Sequence, residues 1–162
     1  LATWAEAEQA APELAALVRG RFEAHGLALI ATLRADGSPR ISGLEPLFAL
    51  GELWFGMMPG SRKAVDLLQD PRYALHSATT DKQVTEGDAK LSGRVVEVTD
   101  DATFERYLAE FKAVAGQGPP PGPFHLFRAD IRDMSMLRPG GADHLDIDWW
   151  TEGGGVHHLD RY

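Results

Sequence analysis

The sequence predicts a mainly β domain, a barrel of six or seven mostly antiparallel strands with helices at its N-terminus and rims. Period-two alternation is clearest over residues 88–98, where Ala89, Leu91, Gly93 and Val95 alternate with Lys90, Ser92 and Arg94. Turn signals follow one another at short intervals: Ala35-Asp36-Gly37-Ser38, Gly51-Glu52 and Pro139-Gly140-Gly141. Helical periodicity is sparse and does not alternate with the strands, so a parallel doubly wound sheet is not expected. Neither a Gly-x-Gly-x-x-Gly turn nor a Walker loop is present.

Along the chain, Thr3-Trp4-Ala5-Glu6 matches a capping box, and Pro12 is placed to open a second helical stretch. Leu14, Leu17, Val18 and Phe22 then recur at helical spacing until His25-Gly26. Residues 1–26 therefore form a helical segment, and residues 27–162 the barrel, in one domain. Residues 27–33, 39–50 and 53–58 read as a three-stranded meander. Ser61 is a suitable N-cap for a helix that Pro71 stops. Residues 73–77 and 88–98 are strands around a polar loop, and Asp100-Asp101 start a helix with Phe104, Tyr107, Leu108 and Phe111 on one face. A Gly/Pro loop follows at residues 116–123. Residues 124–137 and 145–150 are extended, and residues 156–162 read as a short tail.

With 24 acidic against 16 basic residues the net charge is −8, and no Lys/Arg-rich stripe occurs, which argues against nucleic acid and anionic membranes as partners. The absence of cysteine excludes disulfides, thiolate metal sites and cysteine nucleophiles. No apolar run approaches a membrane span. The N-terminus has no basic stretch followed by an apolar one, so the cytoplasm is the expected location.

The most telling local feature is Gly56-Met57-Met58-Pro59-Gly60-Ser61-Arg62-Lys63. Two cations open a helix where unsatisfied N–H groups and the macrodipole favour acidic side chains. That arrangement suits an anion such as a phosphate, although both side chains could instead bend into solvent.

From residue 27 to 161 the sequence resembles the pyridoxamine 5'-phosphate oxidase-like family of flavin-binding split barrels. Three stretches carry the resemblance. They are residues 56–63 with Asp70-Pro71-Arg72, then Arg40-Ile41-Ser42-Gly43-Leu44-Glu45, then Leu145-Asp146-Ile147-Asp148-Trp149-Trp150 with Leu159-Asp160-Arg161. The resemblance implies a Greek-key split barrel and a homodimer with an FMN cleft between protomers. It implies that Arg40, Ser61, Arg62 and Lys63 hold the flavin phosphate. Backbone groups of Ile41, Ser42 and Met57 would meet the ring edge, while Met57, Met58 and Trp150 supply apolar contact. Lys90 and Arg161 would lie near the cofactor.

The departures are specific. Where true pyridoxamine phosphate oxidases carry a Lys for flavin and substrate, this chain has Glu45. Their substrate-phosphate Arg and His fall on His157 and Leu159, and the aromatic pair before the Ser-Arg-Lys loop is Gly56-Met57. The expected activity is therefore hydride transfer between flavin and some other small organic substrate, with no catalytic side chain assigned. The deazaflavin coenzyme F-420 is the alternative cofactor. FMN is favoured over it because F-420's acidic tail needs an extended basic groove that the sequence does not show. Non-catalytic flavin or haem binding is a further alternative. His144, Asp146, Asp148, His157 and His158 have no familiar ligand spacing. Adjacent His157 and His158 would point to opposite faces of a strand, so no metal is expected. His76 reads as a core or interface histidine.

Overall fold

Capping and turn chemistry set the element boundaries in the computed structural model, which describes residues 1–162. Thr3 and Glu6 exchange the two hydrogen bonds of a capping box to start α1 (Trp4–Ala10). Pro12 opens α2 (Pro12–His25), and Gly26 closes it. The strands β1 (Ala28–Leu33), β2 (Pro39–Leu44), β3 (Pro46–Ala49) and β4 (Glu52–Met57) precede α3 (Arg62–Gln69). Then come β5 (Arg72–Ser77), β6 (Asp88–Glu97), α4 (Asp101–Ala115), β7 (His125–Pro139), β8 (Leu145–Thr151) and β9 (Gly155–Arg161).

All strand pairs are antiparallel, in the order β2-β1-β5-β6-β7-β4-β3, with β8 on β7 and β9 on β8. β2 and β3 end this path on opposite sides, yet only Glu45 separates them in the chain. The sheet is thus closed by a single bent run of chain. β7 provides the split: its first part pairs with β4 from His125 to Ala129, and its second part pairs with β8 from Asp133 to Pro139. A bulge at Ser92/Gly93 bends β6 against β7, and Gly93 is required there because a Cβ would collide with the Asp130 carbonyl.

The mainly β, antiparallel barrel with peripheral helices is as the sequence predicts, but it has nine strands rather than six or seven. Pro46 supplies no N–H and restricts Glu45 before it, so the run 39–50 breaks into β2 and β3 instead of serving as the middle of a meander. The tail is also a strand: β9 pairs along all of β8 while remaining exposed throughout.

Inside the barrel, Ile30, Leu53, Phe55, Leu91, Phe127, Ile131 and Met134 form one cluster with Trp4, Val18 and Phe22 from the N-terminal helices. Trp4 meets Phe48 edge-on at 4.7 Å. A second cluster lies under α4, where Trp54, Tyr107 and Leu126 are buried against Phe104, Phe111 and Phe124. No helix is long and apolar enough to cross a membrane.

Candidate functional site

The start of α3 is built by a turn. Ser61 N–H donates to the Met58 carbonyl at 3.1 Å, with Pro59 and then Gly60 (φ 68°) between them, the residue order a type II turn demands. The first backbone bond of the helix runs from Val65 N–H to the Ser61 carbonyl, which leaves the N–H groups of Arg62, Lys63 and Ala64 without intrahelical partners. Ser61 stands at the N-cap but does not cap: its hydroxyl makes no bond to the helix and is buried without any partner. The first turn holds no acidic residue.

Cations surround this end. Arg62 is exposed and Lys63 half-buried, and neither forms an ion pair. Asp66, one turn on and therefore on the same helix face, is buried and accepts from the Arg40 Nε–H and the Thr32 hydroxyl, both at 2.7 Å. Burial pushes the Asp66 carboxyl up. The hydrogen bonds from Arg40 and Thr32 outweigh it and hold the group below the usual carboxylate range. Asp66 uses only the Nε edge of Arg40, so the outer guanidinium nitrogens remain available beside α3. A buried orphan hydroxyl, free N–H groups and three guanidinium or ammonium groups fit the phosphate of a flavin mononucleotide.

The other predicted residues are distributed differently. Ser42 shares its strand face with Arg40, while Ile41 projects outward, 73% exposed, over a shallow hollow it lines with Leu29, His76 and Lys90. The Met57 side chain is buried in the barrel, so its neighbour Met58, 77% exposed, is the methionine open to a ligand. Trp150 likewise belongs to the core, and Trp149 faces outward to stack on His157 at 5.2 Å. Alternation on β8 gives one inward and one outward Trp, and Met134 opposite Trp150 is itself core, which turns Trp150 in. Arg161 is exposed at the end of β9, opposite Leu145. Within one chain these residues do not form one pocket.

The β8–β9 hairpin gathers a second ionisable cluster. His158 joins Asp148 and Asp160 at 2.6 Å each, and His144 lies 2.9 Å from Asp143 and 3.2 Å from Asp146. Ligand atoms of His144, Asp146 and Asp160 lie within 4.8 Å of one another. Asp160 in this group escapes sequence reading because only the β8–β9 register, Asp146 opposite Asp160, brings it there. Tyr107, Phe111 and Phe124, which line a cavity beside Met58, are also missed, since the first two read at helical spacing as a buried face and Phe124 as the start of an extended run.

Residues 14–138 match the Pyridoxamine 5'-phosphate oxidase family. No curated protein matches the chain. Among solved structures, it is similar to a pyridoxamine 5'-phosphate oxidase-related, FMN binding protein from Nostoc punctiforme (14% identity, TM-score 0.65, covering 94% of this chain and 96% of that one). It is similar to a heme binding protein from Mycobacterium smegmatis (16%, TM-score 0.63, 85% of this chain), of whose length it spans 58%. It also resembles PhzG from Burkholderia lata, solved with tetrahydrophenazine-1-carboxylic acid (13%, TM-score 0.58, 83% and 81%). At such identities the likeness is one of fold, and function must be argued from the site. By the extent of the sequence match and the split barrel alike, the chain belongs to the pyridoxamine 5'-phosphate oxidase family.

Proposed function

We propose that the chain is a flavin-dependent oxidoreductase that binds FMN by its phosphate at the start of α3 and acts on a small organic substrate. The observation that carries this reading is the Ser61 hydroxyl, buried without a partner between free helix N–H groups and the unpaired Arg62 and Lys63. Ser61 would donate to a phosphate oxygen, Arg62 and Lys63 would neutralise its charge, and Arg40 would add a donor held in place by Asp66. When bound, FMN supplies the hydride chemistry. The protein orients it and screens it from water, with Met58 offering an apolar surface. The outward Ile41 and Leu29, 73% and 50% exposed beside Lys90, support a homodimer in which a second copy covers this face and completes the cleft.

The net charge of −8 supports FMN over the acidic-tailed coenzyme F-420. A non-catalytic haem-binding role is a second reading, favoured by the similarity to the M. smegmatis heme binding protein. Separate titrations with FMN, F-420 and haemin, followed by fluorescence and absorbance, distinguish the three. Sub-micromolar FMN binding, weakened at least tenfold by Lys63→Ala, is expected, given about 1.5–3 kcal/mol for a charge-assisted bond. Haemin binding without an FMN response would replace this reading with the second.

A further inference from the structure

The Met58-Pro59 turn that leads into Ser61 also walls a cavity of about 390 Å³. Tyr107 and Phe111 of α4 face it, with Gly56 and Phe124 beneath and a proline rim at residues 119–121 and 123. The ring centroids of Tyr107 and Phe111 are 5.9 Å apart and those of Tyr107 and Phe124 6.1 Å, so the walls are rigid, interlocked and apolar. Neither Arg62 nor Lys63 lines it. Its one charged group is Glu45, exposed at the break between β2 and β3 and in no ion pair.

Among the lining side chains Tyr107 supplies the other polar atom. A Cβ at position 56 would lie 3.1 Å from the Tyr107 hydroxyl, so glycine on β4 leaves that hydroxyl room at the strand. Burial alone pushes the phenol up to about 12, which keeps it a neutral donor. An anionic compound entering here would meet a carboxylate and no cation. A cation would meet Glu45 in a cavity lined by three aromatic rings.

We infer that this cavity is a substrate subsite selecting an apolar ring compound that carries an amine cation, with the ring among Phe111, Phe124 and the prolines and the ammonium at Glu45. The inference rests on the flavin reading above for the word substrate, and on the cavity alone for the selectivity.

The test uses the FMN-loaded protein and two probes with one ring system and opposite charge, tryptamine and indole-3-propionate, measured by isothermal titration calorimetry. Tryptamine is expected to bind about tenfold more tightly. Glu45→Gln should erase the preference, Glu45→Lys should invert it, and Phe111→Ala should weaken both probes alike. Equal binding of the two, tighter binding of the anion, no tryptamine binding, or a preference that survives Glu45→Gln would overturn the inference. FMN titrations of wild type and Glu45→Gln run in parallel. If wild type fails to take FMN, the flavin reading falls, while the probe pair measured on the same protein still decides what the cavity selects.

Discussion

The start of α3 and the β8–β9 hairpin both draw ionisable groups together, yet they end in opposite electrostatic states. On the hairpin two histidines already have carboxylate partners on more than one side: His158 bridges Asp148 and Asp160, and His144 lies between Asp143 and Asp146. At α3 the balance is left open. Arg62 and Lys63 face no carboxylate, the Ser61 hydroxyl is buried and unpaired, and the one acid present, Asp66, is occupied by Arg40 and Thr32. Density of charge therefore does not mark a binding site; at α3 it is the buried unpartnered hydroxyl together with free N–H groups and unpaired cations that does.

The largest expected effect comes from removing the open charges. Arg62→Ala with Lys63→Ala should cost about 3–6 kcal/mol of FMN affinity while leaving the midpoint of ligand-free denaturation unchanged, since neither side chain has a protein partner to lose. Asp66→Ala should act first on stability, and on FMN affinity only through the Arg40 it holds in place. It strips a buried acceptor from Arg40 and Thr32 and should lower stability by about 3 kcal/mol in urea, with a smaller loss for Asp66→Asn.

A finer contrast lies between two N-cap positions. Thr3 closes a capping box, so Thr3→Ala should cost about 1 kcal/mol, whereas Ser61→Ala should leave the ligand-free protein nearly unchanged and show its effect only in FMN binding. Equal losses of stability would mean that Ser61 caps α3 in solution.

The smallest effect is one of pH, and its alkaline limb belongs to the hairpin histidines. The hydrogen bonds to Asp148 and then Asp160 hold the His158 pKa above 6.5, and Asp143 chiefly does the same for His144. A raised histidine contributes stability that is complete below 6.5 and disappears as pH rises through the folded value. Asp160, held below 3.8 chiefly by His158, contributes above 3.8 and loses its effect as pH falls through the folded value. Amide exchange, corrected for its intrinsic rate, should show β8–β9 best protected between 3.8 and 6.5, with protection declining above that range while α3 stays unchanged there and shares only the loss at low pH, through Asp66.

What the sequence could reveal follows the same division. β6 is legible because one face is buried and the other is not, and Ser61-Arg62-Lys63 is legible because cations at a helix start contradict the macrodipole. β9 lacks any buried face, so no alternation betrays it, and its pairing with β8 is a tertiary choice. Alternation on β8 requires one tryptophan inward and one outward. Only the register against Met134 decides that Trp150 is the inward one. The run 39–50 reads as one strand despite Pro46, because the break matters only through barrel closure, which depends on β1 and β4 lying far apart in the sheet order. The α4 wall of the cavity reads in the sequence as a helical apolar face, and nothing local separates a face that packs fully from one that leaves room for a ligand.

The most direct measurement is the ratio of riboflavin to FMN dissociation constants, two flavins that differ only in the phosphate, for wild type and for the Arg62→Ala/Lys63→Ala double variant. If the open charges at α3 are a phosphate site, wild type should prefer FMN by at least about a hundredfold and the double variant should lose most of that preference while still binding riboflavin. Equal affinity of wild type for the two flavins, or a ratio unchanged in the double variant, would contradict the account.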